Sequence, residues 1–506
     1  MDRKLLAGGL LLFFLVTGGN SFGQRGPSAT GRGPGLGTGV GSGSAAGGAG
    51  VSATDDSILI RQLAEVILTD SKAYNNLRTL TKTVGARLSG SAGFYKAEVW
   101  GQKALQDAAA DKVWLQECMV PHWVRGGKDS ASWDVTTVGA TGPRSVAGSN
   151  GHFKGLDILA LGNSVGTGPK GITAPVILIH NFDELEQHKD EIKGKIVFYN
   201  YKFNPHFVET FQAYSDAVRY RGAGASRAAK YGALAVLVRS MSSSMDNNPH
   251  TGALNYSDST QKIPAAAVGL RDADELAEML ERKGDGEVRG FLRTGAHMLP
   301  DTLAHNVIGE LKGSEFPDQY ITVGGHLDSW DPAEGAQDDG AGCVQSIEVL
   351  RALKAIGYKP RHTIRVVLFA NEENGGRGGR KYAGAAKENH ETHLFGLESD
   401  NGGFTPRAFT LSLSESQLAA IHPWLSLLQP YGVYAFEKGG GGSDVNPMGP
   451  QLGAVVGELR PDSQRYFDYH HSRADVLENV NKRELEMGTV NMAALIYLVD
   501  KYGWPQ

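Results

Sequence analysis

From residue 306 to residue 502, short apolar runs alternate with helical patterns, and three successive runs end in acids or histidine. Residues 320–323 lead through Gly324 and Gly325 to His326 and Asp328. Residues 363–370 end in Asn371, Glu372 and Glu373, and residues 394–397 end in Glu398, Ser399 and Asp400. Unbroken apolar runs of this length suit strands buried on both faces, which parallel sheets require. The helical spacing at 343–356, 417–428 and 491–502 supplies the crossovers. The predicted fold class is therefore α/β: a doubly wound sheet, mixed but mostly parallel, flanked by helices. In such open sheets the site lies outside the carboxyl ends of the strands.

Acids gathered at one sheet edge repel each other unless a cation compensates. Asp338 and Asp339 join them, in the loop before the helical pattern that starts near Gly342. A histidine with several carboxylates is a donor set that zinc accepts. Two Zn²⁺ ions bring four positive charges, which three carboxylate ligands and one bound hydroxide cancel; that balance points to a two-metal site.

The 506 residues suffice for two or three domains, and a hydrophobic content of 41% with 21% charged residues describes a globular chain. The formal net charge of -5 offers no basic field, so no nucleic-acid partner is expected. Cys118 and Cys343 are the only cysteines, which excludes a disulfide framework and a cysteine-rich structural zinc module. They read as two separate buried thiols, with a single bridge between them as the alternative.

Residues 1–24 combine a basic start, an apolar run from Leu5 to Val16 too short to span a bilayer, and small residues after it. That is the pattern of a signal peptide, so a secreted or periplasmic protein without a membrane partner is expected. Residues 25–54, rich in Gly, Ser, Ala and Thr, read as a disordered spacer. Residues 55–150 and 294–506 are assigned to the main domain. Between 151 and 293 the character changes to short strands at 194–200, 233–238 and 263–269 with helices at 223–231 and 271–283. This stretch is read as an inserted β-rich domain, and its order resembles the protease-associated domain. Its His206 and His250 are read as surface-loop histidines.

The segments GGHLDSWDPAEGAQDDGAG, ANEENGG, ESDNGG and HHSRAD together resemble the co-catalytic di-zinc exopeptidases of aminopeptidase and carboxypeptidase type. The resemblance spans about residues 55–505. It implies two Zn²⁺ per chain, with His326 and Asp400 on one, Glu373 and His471 on the other, and Asp338 bridging. It implies Glu372 as the general base that deprotonates the zinc-bound water, and Asp328 as the group that holds His326. Glu372 and Glu373 divide these duties because neighbouring side chains leave a strand in different directions.

Several neighbours compete for these roles. Asp339 reads as a helix N-terminal residue beside the bridging Asp338. The H-S-x-x-D pattern favours His471 over His470, and the E-S-D pattern favours Asp400 over Glu398. Asp475 supports the site or begins a helix, and Asp444 approaches substrate or stabilises its glycine loop. Asn371, Asn401 and the long glycine run depart from the family pattern, which puts substrate preference in question and leaves the metal residues intact.

The resemblance implies hydrolysis of dipeptides or short peptides, with aminopeptidase action on longer peptides as the alternative, and it implies a homodimer. A one-zinc glutaminyl cyclase would not need the full five-ligand set. Receptor-like relatives have lost metal ligands that this chain keeps.

Overall fold

The structure, a computed structural model, describes residues 53–139, 142–145, 154–282 and 286–506. The regions read as a signal peptide and, up to residue 52, as a spacer lie outside the described residues. Among the described residues no helix is long and apolar enough to cross a membrane.

Strand His362–Phe369 shows why the chain forms a covered sheet. All eight of its residues are buried. Ile364, Val366 and Leu368 face one apolar core, whereas Val367 and Phe369 face another. Burial on both faces requires helices on both sides. Ala341–Ala355 and Lys482–Tyr502 contribute to the first core, and Arg377–Glu388 contributes Tyr382 and Ala383 to the second.

This sheet has eight strands, in the order Lys112–Val124, His297–Leu311, His362–Phe369, Phe316–His326, Thr392–Glu398, Val455–Pro461, Pro406–Leu411, Ala435–Lys438. The four strands from His362–Phe369 to Val455–Pro461 are mutually parallel, and antiparallel pairs flank them. After Phe316–His326 the chain passes to one side of that strand and then to the other. A crevice therefore opens at its carboxyl end, beside Thr392–Glu398.

A second, nine-stranded sheet is built from residues 130–293. Its alternate residues also face two cores. Val197, Tyr199, Val236 and Val238 pack with helix Thr210–Ala229, and Ile196, Phe198, Ala235 and Leu237 pack with helix Leu270–Arg282. The chain leaves the main sheet after Lys112–Val124 and re-enters it at the neighbouring strand His297–Leu311. Strand Ser130–Gly139, placed with the main domain by the sequence reading, pairs instead with Glu287–Arg293 of the second sheet.

Several elements depart from the sequence reading. Helix Arg377–Glu388 is rich in glycine, which disfavours helix. A Cβ at Gly378 would lie 2.6 Å from Ala370 N, and one at Gly379 would lie 2.5 Å from Asp444 O, so close packing requires glycine there. Strand Ile172–Ile179 carries Pro175 at its centre. Helix Thr210–Ala229 extends well upstream of the expected 223–231. Cys118 and Cys343 are both free and buried.

Candidate metal centre

His326 is the last residue of its strand and is wholly buried. Its backbone N–H donates to Asp339 Oδ2 at 3.0 Å, and Asp339 Oδ1 accepts from Gly342 N–H at 2.9 Å. Asp339 thus ties the strand end to the start of helix Ala341–Ala355, and a Cβ at Gly325 would collide with its carboxylate. His326 Nε2 lies 3.1 Å from Asp338 Oδ1 and 3.2 Å from Asp400 Oδ1.

The expected hold of Asp328 on His326 takes a different form. Nδ1 of His326 lies 3.0 Å from the backbone carbonyl of Asp328, while the Asp328 carboxylate stands 3.8 Å away. That carboxylate instead accepts the backbone N–H of Glu372 at 3.0 Å. The carbonyl fixes the ring's tautomer, and the side chain supports the next strand end.

Glu372 and Glu373 lie in a turn after strand His362–Phe369, not on the strand itself. Asn371 enters that turn with φ 63, a conformation asparagine tolerates well. Glu373 Oε2 lies 3.0 Å from His471 Nε2, and Asp338 Oδ2 lies 3.1 Å from the same nitrogen. His471 itself has φ 60 and its Nδ1 lies 3.2 Å from the Thr251 carbonyl. His470 stacks on His471 with ring centres 3.5 Å apart, and its Nε2 is 3.8 Å from Asp338 Oδ2. Of the two histidines, His471 makes the closer approach.

The open alternatives separate in the same way. Glu398 accepts from the backbone N–H groups of Asp444 and Val445 at 3.0 and 2.9 Å, which leaves Asp400 as the acid that meets His326. Asp444 Oδ1 accepts from Gly379 N–H at 3.1 Å, holding the glycine loop on helix Arg377–Glu388. Asp475 accepts the backbone N–H groups of Ala336, Gln337 and Asp338 at 3.0, 2.6 and 3.2 Å, so it shapes the segment that presents Asp338.

Burial pushes Glu373 up to about 8, with the charge of Asp338 adding to it. Burial likewise raises Asp400 to about 7 and Asp328 to about 6. For His326, burial opposes the charge, but Asp400 and Asp338 override it and hold the ring well above its ordinary range. Against its own burial, Asp338 is held well below the carboxylate range by His326 and His471. Acids in this setting favour a bound cation in place of protons.

The donors fit zinc. His326, Asp338 and Asp400 offer atoms within 4.8 Å of one another, and so do Asp338, His470 and His471. Glu373 Oε1 is buried and makes no hydrogen bond, which leaves its lone pairs for an ion.

The second sheet supplies residues that the sequence reading missed. His250, expected on the surface, is 4% exposed, and neither ring nitrogen has a hydrogen-bond partner. The segment behind strand Ala235–Arg239 folds inward, with His250 N–H donating to Ser240 Oγ and Thr251 N–H to the His471 carbonyl. Arg221 Nη1 lies 3.5 Å from His471 Nδ1, and its Nε is buried without a partner. A Cβ at Gly252 would fall 2.5 Å from Arg221 Nη1 and 2.6 Å from His471 Nδ1. A lone arginine in a helical pattern carries no sequence signal for this proximity.

Residues 306–496 match Peptidase family M28. Carboxypeptidase Q of Homo sapiens is 36% identical over 448 residues, covering 88% of this chain and 89% of its own. Carboxypeptidase Q of Xenopus laevis is 37% identical, covering 80% and 81%. The crystal structure of a peptidase M28 precursor from Shewanella amazonensis superposes with a TM-score of 0.80 at 32% identity, over 89% of this chain and 97% of that one. The fold is also shared with BSAP, a zinc aminopeptidase from Bacillus subtilis, at a TM-score of 0.57 and 19% identity, over 84% and 93%. Fold, site and likeness together define a metallo-exopeptidase. More particularly, the chain belongs to peptidase family M28, and that membership implies zinc.

Proposed function

We propose that the protein is an exported di-zinc exopeptidase that hydrolyses dipeptides or other short peptides. The observation that carries this reading is Asp338, which sets one oxygen 3.1 Å from His326 and the other 3.1 Å from His471. A carboxylate so placed suits a bridge between two ions. His326 and Asp400 would hold one zinc, and Glu373 and His471 the other. Bound zinc supplies Lewis acidity, which polarises a scissile carbonyl and makes water easier to deprotonate.

Glu372 is the general base in this reading. It is half-buried beside the cluster, and its backbone is pinned by Asp328. It takes a proton from the attacking water and returns it to the leaving amine. Arg221 supports a substrate with a free carboxyl terminus, because its guanidinium is a cation beside His471, with Nη1 3.5 Å from His471 Nδ1 and Nε left without a partner. The name carboxypeptidase Q, carried by the relatives, points the same way. Residues 154–293 would act as a protease-associated-like cover whose loops complete the site.

A screen of free and end-blocked dipeptides against amino-acid chromogenic amides tests this. Cleavage that needs both free termini supports the proposal. Cleavage of the amides, with no need for a carboxylate, would make the protein an aminopeptidase. Sequencing the N-terminus of protein exported by a secretion-competent host tests the signal peptide.

A further inference from the structure

Arg87 lies far from the metal-binding motifs in sequence and is wholly buried. Its Nε donates to the Leu327 carbonyl at 2.6 Å, Nη1 to Glu334 O at 2.5 Å and Nη2 to Gly335 O at 2.8 Å. Among the described residues no carboxylate lies within ion-pair distance of it. A buried cation without a carboxylate partner is costly, so its three carbonyl contacts call for an explanation.

Those carbonyls belong to the two ends of one loop. Leu327 directly follows His326, and Glu334 and Gly335 come just before the Ala336–Gly340 segment that carries Asp338. The planar fork draws both ends together. Gly335 has φ 59, and a Cβ there would lie 2.8 Å from Arg87 Nη1 and strike Ser329, so the chain is shaped around the guanidinium. Burial lowers the Arg87 pKa, while Cys343, Asp475, Asp339 and Asp328 oppose that, so the positive charge stands behind the acid cluster.

We propose that Arg87 is a positioning residue of the metal centre: by clamping both ends of the loop between His326 and Asp338, it sets the spacing that lets Asp338 reach His326 and His471 at once. It touches neither substrate nor ligand side chain. Lysine cannot replace it, because a single ammonium group lacks the planar fork that reaches three diverging carbonyls.

The inference rests on the zinc reading, so one readout is taken without zinc. Arg87→Lys and Gly335→Ala disturb the same contact from its two sides. Arg365→Lys is the control: Arg365 is buried on Glu310 and Glu391, away from the site. Zinc retention is measured against a competing chelator, and hydrogen exchange is followed at the amides of residues 336–338 in zinc-free protein. We expect each site variant to lose zinc at least tenfold faster and to exchange those amides faster. We expect the control to do neither, even at an equal loss of thermal stability. Wild-type behaviour in the site variants, or the same change in Arg365→Lys, overturns the proposal. If one site variant does not fold, the other decides. A wild-type protein that binds no zinc would defeat the functional reading, and the exchange experiment would still judge the clamp.

Discussion

The backbone N–H of Glu372 donates to Asp328 Oδ1 at 3.0 Å. This contact joins the ends of two adjacent parallel strands and sets the turn that presents both glutamates. Removing the acceptor should loosen that turn without removing a metal donor. Asp328→Ala is expected to lower kcat by about 10–100-fold, the range for partners that orient metal-site residues. Asp328→Asn, which keeps an oxygen acceptor, should cost less. Steady-state kinetics beside metal analysis checks this, and an equal loss in both variants would point to the charge of Asp328 instead.

Glu372→Gln keeps the size of the side chain and removes the proposed base. Zinc content should stay at the wild-type level while kcat falls by roughly 10²–10⁴-fold. Near-normal turnover would remove Glu372 from its role.

Asp338 is the proposed bridge, with one oxygen near His326 and the other near His471, so its loss should act on both halves of the site. Purified wild-type protein is expected to hold about two zinc ions per chain, and Asp338→Asn to hold fewer. Elemental analysis after exhaustive dialysis measures it. One ion or none in the wild-type protein would defeat the bridging role.

Burial lowers His250 to about 4, and the nearby His471 adds to the effect. The folded state thus binds the His250 proton less readily than the unfolded chain, whose histidine titrates near 6.5. The associated stability is present above about 6.5 and is lost as pH falls through about 4, an order of about 3 kcal/mol. His250→Leu should flatten this part of the acid limb. Denaturant titrations of chelator-treated protein between pH 7 and 4 compare the two, and parallel curves would refute the buried neutral histidine.

Much of the centre is legible in the chain because its parts are local. Gly324 and Gly325 before His326, the Glu pair after an apolar run, and Asp400 after another each mark a strand end. His250 was misread because a histidine between Pro249 and Thr251 looks like any loop residue. It is buried between Ser240 and Arg221 on one side and the His470–His471 segment on the other, residues remote from one another in the chain. The helix at Arg377–Glu388 escaped because its glycines argue against helix, and the reason for them, contact with Ala370 and Asp444, is tertiary.

The order of apolar runs and acids determined the class of sheet and the edge that carries chemistry, since strand periodicity and turn chemistry act over a few residues. Only the folded chain decided that the two oxygens of Asp338 face two different histidines, and that the Asp328 carboxylate turns to Glu372 instead of His326. It alone brought Arg221, His250 and Thr251 to His471. Such contacts join segments remote in sequence, and no local pattern encodes a distance that loop closure and core packing set.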